Sequence, residues 1–187
     1  MYHTARSMKC EKMTDMRTLM PVVMMILGGF QAPPAGGLAF TAPPAWRARP
    51  AASAMRVAEF VVPKAAGDTE DAELIVYFFG GTGGTADANI DRWIAQIQQP
   101  DGAPSKDKAR RDTQTINGLK VTMVDLSGTY VAEVRPGATE RHNKPGFRLR
   151  AAVIETARGP YYIKMTGPAK TMTAADTDFK TFLSTLR

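Results

Sequence analysis

The pair Asn117-Gly118 constrains this chain more than any other feature, because it lies between two segments of β character. Asn-Gly in such a position is the strongest short-range signal for a two-residue hairpin turn. The sequence therefore predicts a strand at 111–116 that pairs antiparallel with a second strand at 119–134. On that second strand, alternate positions are expected to share one face: Leu119, Val121, Met123 and Asp125.

Alternating or continuous apolar runs predict further strands at 38–43, 54–62, 73–79, 147–156 and 161–168. In the segment 54–62, Glu59 is expected on one face and Arg56 on the other. A segment that includes Trp46 is expected to form a turn after 38–43.

Two segments show helical periodicity, at 86–99 and at 173–186. Their apolar stripes are Ala86, Ile90, Trp93, Ile94 and Ile97 in the first, and Phe179, Phe182, Leu183 and Leu186 in the second. Thr85 and Thr173 are the expected N-caps. The order of strands, helix, strands and helix predicts an α+β fold, with helices packed on an antiparallel sheet. We expect a single domain over residues 38–187.

The first 37 residues predict a leader, an export signal and a linker. Arg17 precedes an apolar run from Leu19 to Phe30, which is 12 residues long. A membrane span needs about 20 residues, whereas a signal-peptide core needs about 7–15. Cleavage is expected between 32 and 39, and Met16 is the hypothetical true start. The chain is thus predicted to be exported, periplasmic or secreted, with no membrane span after cleavage.

Composition excludes several classes of site. The 187 residues contain one Cys and two His, which argues against zinc sites, iron–sulfur clusters and disulfide frameworks. Cys10 precedes the apolar run, so it is not a lipoprotein cysteine. The formal charge is +6, and the basic run 106–111 is interpreted as a solvated loop because no stacking aromatic accompanies it. No cofactor, metal or nucleic-acid partner is expected.

A glycine-rich segment, 80–85, imitates a dinucleotide-binding fingerprint. Gly81, Gly83, Gly84 and Ala86 lie between a predicted strand and a predicted helix. The fingerprint also needs a second parallel strand that ends in an acidic residue, and none follows. The favoured interpretation is a sharp strand-to-helix turn, with a looser anion site as the alternative.

The sequence offers only weak candidates for a catalytic site. His142 with Ser127 and Asp125 offers the residue types of a triad, but His142 lies in a polar loop. Glu59 and Asp125 are the only strand-borne candidates for a carboxylate pair. We expect no enzymatic activity.

The polar side of the first helix offers the better candidate site. Beside its apolar stripe lie Asn89, Arg92 and Gln96. Helix propensity does not explain why asparagine and glutamine occur within this helix. They either bond to the glycine-rich turn or form a ridge that binds a ligand or partner. The candidate residues of that ridge are Gly81, Gly83, Gly84, Asn89, Arg92, Trp93 and Gln96.

Several runs resemble a group of small exported bacterial proteins of uncharacterised function. They are F-T-A-P-P-A-W at 40–46, M-R-V-A-E-F at 55–60, G-G-T-G-G at 80–84 and N-I-D-R-W-I-A-Q at 89–96, followed by N-G-L-K-V-T, D-L-S-G-T-Y and Y-Y-I-K-M-T-G-P. The resemblance covers about residues 38–187. Asn89, Arg92, Trp93 and Gln96 match the group's motif, and no established role comes with them.

The order of elements is also similar to the PsbP-like fold, an antiparallel sheet flanked by helices. That fold is shared by the photosystem II extrinsic subunit, a Ran-binding import factor, and bacterial envelope proteins and secretion chaperones. The resemblance implies non-catalytic binding to other proteins.

The expected function is therefore a non-catalytic accessory domain that binds a protein in the bacterial envelope. The alternative is a small-ligand or anion-binding protein, or a weak hydrolase, that uses the 80–85 loop with Asn89 and Arg92. A pocket at that loop would favour the alternative. An exposed apolar patch around Trp46 would favour a protein partner.

Overall fold

A computed structural model describes Met1 and residues 37–187. The predicted leader, Cys10, the signal segment and most of the predicted cleavage region lie outside the described residues. Residues 37–187 belong to one compact unit. Among the described residues, no helix has both the length and the apolar character needed to cross a membrane.

The described chain is an α+β domain built on one antiparallel sheet. The strands are β1 (Arg47–Arg49), β2 (Arg56–Val62), β3 (Ala72–Phe78), β4 (Ile97–Gln98), β5 (Arg110–Ile116), β6 (Leu119–Tyr130), β7 (Lys144–Glu155) and β8 (Tyr161–Pro168). The helices are α1 (Ala86–Ile94), α2 (Ser105–Lys108), α3 (Ala169–Ala174) and α4 (Asp176–Ser184). The predicted class is confirmed.

The sheet order is β1-β2-β3-β8-β7-β6-β4, and β5 pairs with β6 beside β4. The Asn117-Gly118 turn joins β5 to β6 as predicted, with Ile116 opposite Leu119. Asn117 has φ 49° and Gly118 has φ 82°. These values suit a tight hairpin turn that asparagine and glycine tolerate best.

Different helices cover the two faces of the sheet. Helices α3 and α4 pack on one face, where the apolar residues of β2, β3 and β8 contact Phe179, Phe182, Leu183 and Leu186. Helix α1 packs on the other face, where Ile90, Trp93 and Ile94 lie over β6, β7 and β8. The predicted apolar stripes of both helical segments are confirmed as the buried sides.

The predicted strand at 38–43 is wrong. This segment is irregular, and Ala39 exchanges two backbone hydrogen bonds with Arg187 at the other end of the chain. Trp46 is only 6% exposed and packs against Phe60 and Phe182, so it is part of the core and not of an exposed patch. The predicted turn at Trp46 is present at 44–46, where the Trp46 N–H donates to the Pro43 carbonyl, and the short strand β1 follows it.

The predicted faces of β2 are also partly wrong. A β-bulge between Arg56 and Ala58 shifts the register, so Arg56 contacts Glu59, with 3.0 Å between Nη1 and Oε1. A bulge inserts one residue and reverses the alternation locally. Periodicity alone could not place it.

Both predicted helices have different limits in the structure. The first ends at Ile94, because Ile97 and Gln98 leave it to pair with Tyr130 and Thr129 of β6. The second is divided into α3 and α4 at Ala175. Thr173 is not an N-cap: its hydroxyl donates to the carbonyl of Ala169 within α3.

We expect Phe182→Ala to lower the free energy of unfolding by about 3–5 kcal/mol, as for other large aromatic truncations in a core. The Phe182 ring is fully buried and lies against Phe40, Trp46 and Phe60, so truncation leaves a cavity that three rings line. Urea unfolding followed by tryptophan fluorescence measures the change. Thr181→Ala, at the exposed neighbouring position, is the control and should change stability little. Equal losses in the two variants would contradict the assigned core.

Candidate functional site

The glycine-rich segment forms a closed turn that the side chain of Asn89 holds. Asn89 is buried at the start of α1, and its amide nitrogen donates to the carbonyls of Gly83 (2.7 Å) and Thr85 (2.9 Å). Thr85 is the N-cap, as predicted, and accepts from the Ala88 N–H. The interpretation that Asn89 bonds to the turn is confirmed.

The turn is packed on its inner side as well. The hydroxyl of Tyr162 donates to the Gly84 carbonyl at 2.9 Å. A Cβ atom at Gly83 would lie 2.5 Å from the Tyr162 hydroxyl and 2.8 Å from the Phe79 ring. Glycine is required at this position because the backbone approaches two aromatic side chains. The turn therefore serves the strand-to-helix crossing.

The remaining candidate residues of the predicted ridge have different surroundings. Trp93 is buried in the core under α1, where its ring contacts Tyr162 edge to face. Arg92 is exposed and donates to the side-chain oxygen of Asn89. Gln96 lies beyond the end of α1 and accepts a hydrogen bond from Lys164. The structure thus brings Asn89 and Arg92 together, whereas Gln96 belongs to a second polar cluster.

That second cluster is centred on Lys164 of β8, which sequence reasoning missed. Its Nζ atom donates to Gln96 Oε1 at 2.5 Å and to the Tyr130 hydroxyl at 3.0 Å. Burial lowers the pKa of Lys164 to about 8, because the loss of solvation outweighs the attraction between Glu73 and the ammonium. Burial also raises the pKa of Tyr130 to about 12, with a smaller effect from Glu73.

A chain of ion pairs continues along the same face on β1 and β2. Glu59 is only 2% exposed and accepts from Arg49 Nε at 2.9 Å and from the Ala52 N–H at 2.6 Å. Burial alone would raise the pKa of Glu59, but the bonds from Ala52, Arg56 and Arg49 lower it below its usual value. Arg49 also reaches Glu73. The buried carboxylate is thus ionised and fully engaged.

The catalytic candidates lie on opposite sides of the sheet. Asp125 binds Arg148 with both carboxylate oxygens, and Arg148 also contacts Asp176 of α4. His142 instead stacks on Tyr130, whose hydroxyl belongs to the Lys164 cluster on the face of α1. The residues Asp125 and His142 therefore do not form a triad, and Glu59 and Asp125 do not form a carboxylate pair.

The described residues do form a groove between β5 and α4, which we call the β5–α4 groove. Its volume is about 550 Å³. Strands β5, β6 and β7 contribute Arg110, Asp112, Gln114, Ile116, Met123, Val124, Asp125, Arg150 and Ala151, and α4 contributes Phe179, Lys180, Leu183 and Ser184. Sequence reasoning missed this groove, although it assigned most of these residues to the correct elements.

The groove is held open by contacts at both ends of α4. At one end, Arg150 Nη1 donates to Asp176 at 2.7 Å and its guanidinium lies 4.3 Å from the centre of the Phe179 ring. At the other end, the Asn117 side chain donates to the carbonyls of Ser184 and Leu186, both at 2.8 Å. These contacts fix the helix at a distance from the outermost strand.

A second cleft, of about 620 Å³, lies between the end of α1 and the loop before α2. Neither cleft is lined by Asn89 or Arg92. Within residues 37–187, no group of His, Cys, Asp or Glu is arranged to hold a metal ion.

Comparison with known proteins gives little further information. No family model matches the chain, and no curated protein matches it. Among solved structures, it is similar to PA94 from Pseudomonas aeruginosa, a protein of unknown function. The two share 15% identity with a TM-score of 0.45, over 69% of this chain and 80% of that one. Likeness at this level carries no argument about function, which has to follow from the residues described above.

The Lys164 cluster predicts a specific dependence of stability on pH. Because the folded-state pKa is about 8, below the ordinary value of about 10.4, the unfolded chain binds more protons between these values. The contribution of Lys164 to stability therefore rises with pH through that window. We expect the stability of Lys164→Met relative to the wild type to be higher at pH 7 than at pH 9.5, by about 1–2 kcal/mol.

Urea unfolding at the two pH values measures this difference. Asn143→Met, at an exposed position, removes no titratable group and is the control, so its difference from the wild type should be the same at both pH values. If the difference in stability between Lys164→Met and the wild type were equal at both pH values, the lowered pKa of Lys164 would be contradicted.

Proposed function

We propose that this domain is a non-catalytic module that binds a protein partner in the bacterial envelope. One observation carries the proposal: the outermost long strand, β5, has no strand partner on its outer edge among residues 37–187, and the β5–α4 groove runs beside it. A strand edge with free backbone groups beside a groove is a recurrent mode of peptide recognition. Most sheet proteins cover or protect such an edge, since it invites pairing.

The chemistry of the described residues favours binding over catalysis. Asp125, Asp176 and Glu59 are held by arginines, and His142 lies across the sheet from Asp125. The glycine-rich turn is closed by Asn89 and Tyr162, which weighs against a small ligand or an anion at 80–85. Export is supported by the apolar run from Leu19 to Phe30.

The proposal includes the PsbP-like assignment. An antiparallel sheet with α1 on one face and α3 and α4 on the other agrees with that arrangement. Because proteins of one fold carry out many functions, this assignment supports only a general tendency to bind other proteins.

Photocrosslinking in intact cells tests the proposed function. A photoreactive residue in place of Gln114, on the exposed strand β5, should give a discrete adduct with another protein after irradiation. The control places the same residue at Asn143, an exposed loop position outside the lining of the groove. It should not give this adduct.

The size and number of the adducts decide the outcome. An adduct with the mass of two copies of this chain would identify self-association instead of a partner. Absence of any protein adduct at Gln114 would contradict the proposed function.

A further inference from the structure

We propose that the outer edge of β5, beside the β5–α4 groove, binds an extended, acidic segment of the partner as an added antiparallel strand, whose side chains on the groove side meet Arg110 and Lys180. This inference rests on the proposed function and names the chemistry of the partner at the same site. Three features carry it: the free backbone edge of β5 that borders the groove, unpaired positive charges at one end of the groove and apolar side chains at the other.

The backbone edge is long enough to order a peptide. Strand β5 has seven residues, all of which pair with β6 in an unbroken antiparallel register from Arg110 to Ile116. An antiparallel strand uses alternate residues for each neighbour, so the groups that do not face β6 point outward. No described residue bonds to them from the outer side. Every sheet pairing in the described chain is antiparallel, and an added strand of the same sense continues that geometry.

The free charges of the groove are mainly positive. Arg110 on the strand and Lys180 on α4 line it and form no ion pair within the described chain. The carboxylate of Asp125 binds Arg148, and that of Asp176 binds both Arg148 and Arg150. Asp112 is then the only carboxylate of the lining that forms no ion pair with a described residue. A partner that brings carboxylates to Arg110 and Lys180 is complementary to this end of the groove.

The opposite end of the groove is apolar. Ile116 and Leu183 line it where the Asn117 contacts hold the end of α4. Arg110 and Ile116 are six residues apart and lie on the same face of β5. An antiparallel segment that meets both therefore carries an aliphatic residue followed, six positions later, by an aspartate or glutamate.

A second copy of this chain is a poorer occupant. If two β5 strands paired antiparallel over their full length, Arg110 of one copy would lie opposite Ile116 of the other. No carboxylate would then meet the unpaired arginine, and a charge would be buried beside an apolar side chain. An acidic segment from another protein avoids both penalties.

Peptide binding to the full chain tests the inference. The probe is a fluorescein-labelled peptide of about nine residues, long enough to span the strand. It is threonine-rich, with leucine followed six positions later by aspartate, and fluorescence anisotropy measures its affinity. We expect saturable binding that weakens with salt and is lost when lysine replaces the aspartate.

Variants of the chain test the assigned charges. Arg110→Glu and Lys180→Glu, on opposite walls of the groove, should each weaken binding by about tenfold or more, as is typical for reversal of a close charge in an interface. Arg135→Glu makes the same change of net charge at an exposed loop position away from the groove and should alter affinity by less than about twofold. Circular dichroism establishes that each variant is folded.

Two N-methylated peptides test the strand addition. Methyl groups on one set of alternate amides block the N–H groups that face β5, whereas methyl groups on the other set face solvent. One analogue should lose binding and the other should retain it. Equal affinity of the two analogues, equal binding of the lysine peptide, or an unchanged affinity in Arg110→Glu and Lys180→Glu would each overturn the inference.

Failure of the inference is distinguishable from failure of the proposed function. A partner adduct at Gln114 together with no acidic-peptide binding would retain the protein-binding function and reject the acidic segment. Absence of both would reject the two together.

Discussion

The groove and much of the core depend on how helix α4 is fixed against the sheet. Asp176 at its start is held by Arg148 and Arg150, and the carbonyl of Ser184 at its end is held by Asn117. Between these polar contacts, the helix buries Phe179, Phe182 and Leu183 against the sheet. The polar contacts at its two ends set the position of the helix, while the apolar contacts supply most of the stabilisation. The exposed side of the helix, with Lys180, is left facing β5.

The two faces of the sheet have different roles in this account. On the face of α1, the buried Glu59 and the half-buried Lys164 are satisfied by neighbours, and the glycine-rich turn is closed by Asn89. Polar groups that are satisfied within a fold stabilise it and offer little to a ligand. On the face of α4, the groove retains unpaired charges and borders a free strand edge. We therefore propose that recognition occurs on the face of α4, where unpaired charges and hydrogen-bonding groups of the strand edge remain.

The sequence predicted those features that arise from local patterns. Asn117-Gly118 identified the hairpin because few other residue pairs accept its backbone angles, and the stripe through Phe179 and Leu186 identified the buried side of the last helix. The bulge at Arg56, the early end of α1 at Ile94 and the pairing of Ala39 with Arg187 depend on contacts between distant segments. No local pattern encodes such contacts.

The candidate site shows the same division. Asn89 was identified because an asparagine inside a helix needs an explanation, and its bonds to the turn supply one. The Lys164 cluster and the β5–α4 groove join residues from strands that are far apart in sequence. The sequence pattern predicts strands in these segments, but it does not predict the order of the strands in the sheet. Without that order, Gln96 could not be placed beside Lys164, nor Arg110 and Lys180 in one groove.

Amide hydrogen exchange of β5, measured by nuclear magnetic resonance on the full chain, tests the central claim most directly. In the free protein, the N–H groups at alternate positions of 110–116 should exchange rapidly, and those bonded to β6 should be protected. Addition of the acidic peptide should protect the rapidly exchanging set and leave the rest of the sheet unchanged. Protection of both sets in the free protein would mean that the edge of β5 is already occupied, and unchanged exchange in the presence of saturating peptide would mean that binding occurs elsewhere. Either result would contradict the account.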